Sequence, residues 1–136
     1  MSTFQLTIVT PDGEFYRGPA ESLTVRAASG ELTLLAHHID FVAALGMGEA
    51  RVTIDGQKRH ACCIGGMLAM TKNEARLIAT SFEWADQIDL ERAKDALSRA
   101  ETALERPDLT KEERKLREAA KRRAQVRISI AEANQK

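Results

Sequence analysis

Ile88-Asp89-Leu90-Glu91-Arg92-Ala93 is where the chain changes character. Upstream of it, apolar residues alternate in twos between glycine-marked turns. Downstream, they recur at steps of three and four. Asp89 is a candidate helix N-cap, because its short carboxylate can accept a backbone N–H of the first helical turn. Arg92 lies one turn in. The 136-residue chain therefore divides into an all-β part, 1–84, and a helical part, 85–136.

Working upstream, Val52-Thr53-Ile54 runs into Asp55-Gly56, the strongest two-residue hairpin signal in the sequence. Residues 58–64 form the return strand. Gly65-Gly66 then allows a sharp bend or a bulge before Met67 to Met70. Lys72-Asn73-Glu74 turns the chain into a strand from Ala75 to Ala79. Nearer the start, Phe4, Leu6 and Ile8 alternate with Gln5, Thr7 and Val9, and Pro11-Asp12-Gly13 makes the first turn. Leu23, Val25 and Ala27, then Leu32-Thr33-Leu34-Leu35 and Phe41-Val42-Ala43-Ala44-Leu45, complete the set. Many short strands at regular spacing predict a small sandwich or barrel.

Downstream, Leu90, Ala93, Leu97, Ala100 and Leu104 make a narrow apolar seam on a helix at about 89–105. Arg106-Pro107-Asp108-Leu109 breaks it, since proline cannot continue a helix. Thr110-Lys111-Glu112-Glu113 reads as a capping box opening a second helix at about 111–133. Leu116, Ala119, Val126 and Ile130 are its expected apolar face. The fold class is α+β: a β-sandwich or barrel followed by an antiparallel two-helix hairpin. The seam is alanine-rich, so the hairpin gains little from burial and opens with a modest push.

Composition narrows the function. The apolar share is 43% and net charge is zero, ordinary for a globular chain. Residues 1–85 hold 7 Lys/Arg against 9 Asp/Glu, and residues 86–136 hold 13 against 11, so the positive charge sits in the helices. That balance suits an acidic partner or a polyphosphate better than bulk nucleic acid. No apolar run is long enough to span a bilayer, and the start lacks the pattern of a secretory signal. Cys62 and Cys63, adjacent on a strand, point to opposite faces, so reduced packing thiols are expected. There is no phosphate-binding glycine loop, zinc spacing or nucleophile elbow. His37 and His38 fall in a loop and His60 on a strand. Catalysis by this chain alone is not expected.

The arginines are the remaining candidates. Arg92 and Arg99 share one stripe of the first helix, and Arg123 and Arg127 one stripe of the second. In an antiparallel hairpin the stripes converge near the hinge, where an anion or carboxylates must separate them. Asp89 and Glu83 are candidates for charge balance or for polar contacts to a ribose or base. The plainer reading is a solvated face with intrahelical pairs, such as arginine with Asp95 or Glu101.

The order and spacing of several stretches resemble the epsilon subunit of F-type ATP synthases, over nearly the whole chain. They are Val9-Thr10-Pro11-Asp12-Gly13, Ser29-Gly30-Glu31-Leu32 leading to His38, and Gly65-Gly66-Met67-Leu68. Ile88-Asp89-Leu90-Glu91-Arg92-Ala93-Lys94 and Arg123-Ala124-Gln125-Val126-Arg127-Ile128-Ser129-Ile130-Ala131-Glu132 continue it. One departure is visible. Where the family often has Pro-Gly-His-x-Pro, this chain has Ala36-His37-His38-Ile39-Asp40, so neither proline nor glycine sets that loop.

The resemblance implies a non-catalytic subunit of the rotor's central stalk in a proton-translocating bacterial ATP synthase. It would be peripheral, on the cytoplasmic face of the cell membrane. The β-domain would contact the gamma subunit and the c-ring, with His37 and His38 in the facing loop. The hairpin would permit ATP hydrolysis when folded and block it when extended towards the alpha/beta catalytic ring. Some bacterial members bind ATP at this hinge as a regulatory ligand. By position, that site would be Glu83, Ile88, Asp89, Arg92, Ala93, Arg99, Arg123 and Arg127. The basic start of the second helix (Lys111, Arg114, Lys115, Arg117, Lys121, Arg122) would meet acidic surface on the ring. No catalytic cofactor, metal or nucleic acid is implied. The alternative is a structural adaptor of the stalk that binds no nucleotide.

Overall fold

A computed structural model describes residues 2–134, which form two compact units divided between Ala85 and Asp86. The first holds eight strands: β1 (Phe4–Thr10), β2 (Gly13–Ala20), β3 (Ser22–Ala27), β4 (Gly30–Leu35), β5 (Phe41–Ala44), β6 (Met47–Ile54), β7 (Gln57–Thr71) and β8 (Glu74–Trp84). The order across the sheet is β2-β1-β8-β7-β6-β3-β4, with β5 paired to β7. All pairings are antiparallel except β1 with β8.

β7 and β8 make this sheet into a sandwich. The first half of β7 pairs with β6 and its second half with β5. Between them lie Gly65 at φ 64° and Gly66 at φ 113°. Core-facing residues of β7 are Ala61 and Cys63 before the glycines but Leu68 and Met70 after them. β8 changes phase with it, from Ala75, Leu77 and Ala79 to Phe82 and Trp84. Their mutual register stays continuous from Ala61↔Trp84 to Thr71↔Glu74. Because the side-chain period is two, this one-residue slip in phase turns the inner face over. The glycine pair is therefore a bend in one long strand: the register carries across it although Gly65 is not paired with Thr80, its N–H bonding the Gly46 carbonyl instead.

The hairpins follow their local chemistry. Asp55 (φ 51°) and Gly56 (φ 76°) take the two left-handed conformations of a type I′ turn. Lys72 (φ 50°) and Asn73 (φ 62°) do the same without glycine. Phe4, Leu6 and Ile8 point inward, as the alternation requires, and join Leu23, Val25, Leu34, Val52 and Leu77 in the core. Cys62 and Cys63 are both buried and in no disulfide, and burial pushes the Cys63 thiol up to about 12.

A single 3-10 turn, Ala85–Gln87, precedes the second unit, in which α1 (Leu90–Leu104) and α2 (Lys111–Ala133) pack as a hairpin. The α2 capping box forms: Thr110 Oγ1 accepts from the Glu113 N–H, and the Glu113 carboxylate accepts from the Thr110 N–H. In the loop, the Arg106 guanidinium grips both carboxylate oxygens of Asp108 and holds that carboxyl below its usual range. Ala93 and Ala100 are buried on α1, and Ala124, Ile130 and Ala131 on α2.

Leu116 departs from the expectation. It is 70% exposed. Arg114 and Lys121 of α2 reach α1, seven residues apart and so on one stripe. Two residues beyond Arg114 is about 200° of rotation, which turns Leu116 away from α1.

Candidate hinge and two-helix site

Asp89 begins α1 as its N-cap. Its backbone is extended (φ −80°, ψ 97°), and its Oδ1 accepts the Arg92 N–H at 3.0 Å. The Asp89 carbonyl then takes the first helical bond, from the Ala93 N–H at 3.0 Å. Carboxylate and helix N-terminus are thus already matched, and Glu91 adds negative charge in the first turn. The Arg92 guanidinium is left exposed, while Ala93 beside it is buried. Ile88, just before the cap, is half-buried. Glu83 belongs to β8 in the first unit, half-buried and paired in register with Cys62.

Two ties across the hairpin bracket how high each arginine stands, to within about one turn. Arg114 Nη1 donates to the Leu104 carbonyl at 3.5 Å, and Lys121 Nζ lies 4.0 Å from Glu101 Oε2. In an antiparallel pair, each step along α2 is one step back along α1. Six steps from Lys121 bring Arg127 level with Asp95; thirteen from Arg114 bring it level with Glu91. Arg123 falls between Asp95 and Arg99 by the same counting. Arg123 and Arg127 are both half-buried. The two helices therefore carry arginines at matching heights.

Arg99 is engaged by a neighbour: its guanidinium pairs with the Asp95 carboxylate one turn earlier, both side chains being well exposed. Of the basic residues expected to face a partner, Lys111, Arg114, Lys115, Arg117 and Arg122 are exposed and Lys121 is half-buried. Arg114 and Lys121 brace the hairpin itself. Arg114 satisfies a carbonyl at the α1 C-terminus, where positive charge is favoured.

At one end of the sandwich a loop and a turn are tied together. His37, at φ 63°, donates its N–H to Asn73 Oδ1 at 2.6 Å. The Asn73 Nδ2 donates to the Thr3 carbonyl, and the Asp40 Oδ1 accepts the Lys72 N–H at 3.0 Å. The His38 ring stands edge-on to Phe41 at 5.0 Å. Neither Asn73 nor Asp40 is picked out by sequence patterns as a functional residue; only the turn at Lys72-Asn73-Glu74 is legible there. A second cluster lies on β4, β6 and β7. Arg51 bonds Glu49 and Glu31, and His60 Nδ1 lies 3.4 Å from Glu49 Oε2. Hydrogen bonds donated to Glu49 and Glu31 hold the Arg51 guanidinium above its ordinary range. Among the described residues, no group of three or more His, Cys, Asp or Glu is placed to hold a metal.

The ATP synthase delta/epsilon chain beta-sandwich domain family matches residues 3–85. An ATP synthase epsilon chain of Bacillus pumilus is 37% identical over 131 residues, 96% of this chain and 98% of that one. One of Bacillus velezensis is 39% identical over the same shares. Among solved structures, a chain of the Euglena gracilis mitochondrial ATP synthase OSCP/F1/c-ring assembly superposes with a TM-score of 0.69 at 23% identity. It covers 97% of this chain and 79% of that one. A chain of the Tetrahymena thermophila mitochondrial ATP synthase central stalk and c-ring gives 0.64 at 11% identity, covering 93% and 95%. At those identities the structural likeness carries the fold, while the sequence relatives carry the family. The chain belongs to the ATP synthase epsilon chain family, whose members are stalk subunits and not the catalytic ones.

Proposed function

We propose that this chain is a central-stalk subunit of a bacterial proton-translocating ATP synthase, and that its hairpin senses ATP. The sandwich couples the gamma subunit to the c-ring. Support comes from an apolar row across the outer face of four strands, Ala44–Met67–Ile78–Val9, each paired in register with the next. Met67 and Ile78 are about half exposed, and Val42, two residues from Ala44 on the same face of β5, is 65% exposed. Contiguous exposed apolar surface of this kind marks a protein contact. Among the described residues, no helix is long and apolar enough to cross a membrane. A peripheral place on the cytoplasmic face suits the assembly.

The observation that carries the ATP reading is the hairpin register, which sets Arg127 level with the first turns of α1. ATP phosphates between Arg92, Arg99, Arg123 and Arg127 offset the repulsion of the guanidiniums, with Asp89, Ile88 and Ala93 beside them at the start of α1. A ligand shifts a two-state equilibrium only by its difference in affinity for the states. Arginines from both helices meet only in the closed hairpin, so ATP favours it, by about 2.7 kcal/mol at 100 times Kd. For an alanine seam that difference decides the population. When ATP falls, the basic start of α2 turns to the alpha/beta ring and hydrolysis stops.

Isothermal titration of the full chain with ATP tests this. Heat in the wild type that is lost in Arg92→Ala supports the sensor; no heat in the wild type removes it. The Arg99–Asp95 pair favours the second reading, a structural adaptor without nucleotide. Complexes reconstituted with a chain ending at Ala85 separate the two. Hydrolysis at low ATP rises on truncation if the hairpin regulates and stays unchanged if it does not.

A further inference from the structure

The loop at residues 36–40 leads into β5, whose Ala44 belongs to the apolar row, and the way it is held points to a role for two polar residues. We propose that Asn73 and Asp40 are positioning residues, which lock this loop in one conformation for docking on the stalk. The inference rests on the docking reading above and adds the residues that make it fast and tight.

The loop has few ties of its own. Inside it, the His38 N–H bonds the Leu35 carbonyl at 3.2 Å, and His38 Nδ1 lies 2.9 Å from the Ile39 carbonyl. His37 is left-handed, a conformation that favours relaxation in a non-glycine residue unless something holds it. What holds it comes from the 72–73 turn. Asn73 accepts the His37 N–H, while Asp40 reaches the other way to accept the Lys72 N–H. The exchange is reciprocal: each segment supplies one side-chain acceptor and one backbone donor. Asn73 is itself anchored, through Nδ2 to the Thr3 carbonyl and through its own carbonyl to the Gln5 N–H at 3.2 Å. The clasp thus connects the loop to β1.

Between the two ties lies Ile39, the most exposed large apolar side chain among the described residues, at 78%. Beyond them come Phe41 and Val42 of β5. A loop pinned on both sides of an exposed apolar tip loses little conformational entropy when the tip is buried by a partner. Without the clasp, that ordering must occur during association. The occupant fitted by this arrangement is an apolar face of the stalk, continuous with the one that covers Met67 and Ile78.

The test uses the full chain and ATP synthase stripped of its epsilon subunit. Asn73→Gly keeps the left-handed turn but deletes the carboxamide; Asp40→Ala deletes the acceptor and Asp40→Asn retains one. Hydrogen exchange at the His37 and Lys72 amides reads the clasp, with the Leu68 and Leu77 amides as the measure of global stability. Dissociation from the stripped complex reads the docking. Expected are about tenfold faster exchange of the matching amide and a severalfold faster off-rate for Asn73→Gly and Asp40→Ala. Core exchange stays unchanged, and Asp40→Asn stays near wild type in both. Faster loop exchange with an unaltered off-rate overturns the positioning role and leaves the docking reading standing. Unchanged loop exchange overturns the clasp. A wild-type chain that fails to bind the stripped complex overturns the docking reading, and this inference with it.

Discussion

Asp89 Oδ1 and the Arg92 main-chain N–H are joined at 3.0 Å, so the acid of the hinge motif is committed to the helix before any ligand arrives. The arginine of the same motif keeps its guanidinium in solvent. Acid and base at this spacing look like a ligand pair, yet their observed link is a helix cap.

This separates the two residues experimentally. Asp89→Ala leaves an unpaired N–H in the first turn and costs about 1 kcal/mol of hairpin stability. Asp89→Asn preserves the acceptor and costs a few tenths at most. If Asp89 acts on ATP only by capping α1, Asp89→Asn also keeps ATP affinity, while Arg92→Ala loses it at unchanged helicity. Circular dichroism melts of the full chain, paired with titration, check both. Equal loss of affinity in Asp89→Asn and Arg92→Ala points instead to direct contact by the carboxylate.

Two glycines test the sandwich in different ways. At Gly66 a Cβ would lie 1.8 Å from the Ile78 carbonyl oxygen, a backbone atom that cannot step aside. Gly66→Ala should destabilise by at least about 3 kcal/mol, because β7 and β8 must part at the bend. At Gly56 nothing lies within 4 Å, so Gly56→Ala meets only the cost of a left-handed alanine, about 1–2 kcal/mol. Urea denaturation of both variants should rank them in that order.

The contrast between those glycines shows how far the sequence could be read. Asp55-Gly56 is a local turn, so its chemistry is complete within two residues, and the same holds for the Thr110 capping box. Gly65-Gly66 allowed either a bend or a bulge, because the choice depends on β8 on the other side of the ladder. The matching change of phase in β8 falls at Thr80 and Ser81, which carry no apolar pattern to betray it. Leu116 looked like core because its spacing fits a helical stripe. Which stripe faces α1 depends on contacts between the helices, among them those of Arg114 and Lys121. At the candidate site the pairing was not legible: Arg99 had both Asp95 and Glu101 close by in sequence, and it took Asp95.

Cys63 gives a prediction in pH. Its thiol is held neutral by burial, pushed up from an ordinary 9.0 to about 12, with Cys62 beside it a smaller cause. A raised pKa in the fold means that the unfolded chain loses its proton first. The thiol's contribution is complete below pH 9 and is lost as pH rises from 9 towards 12, at up to about 1.4 kcal/mol per pH unit. Cys63→Ala should flatten that part of the stability profile, at the cost of a small cavity at neutral pH. Native chain should also resist thiol reagents at pH 8, where the free thiol reacts.

The Asp95 carboxylate competes for Arg99 with any phosphate that reaches the hairpin. Both partners are well exposed, so their pair is worth only about 0.2–1 kcal/mol. ATP that draws on Arg99 must break it. Asp95→Ala should therefore tighten ATP binding by about twofold to fivefold, and Arg99→Ala should weaken it whether or not Asp95 is present. In the double variant the gain from removing Asp95 disappears, since there is no guanidinium left to release. Titration of the four chains forms a closed cycle. Tighter binding in Asp95→Ala that persists without Arg99 places Arg99 outside the site and leaves Arg92, Arg123 and Arg127 to hold the phosphates.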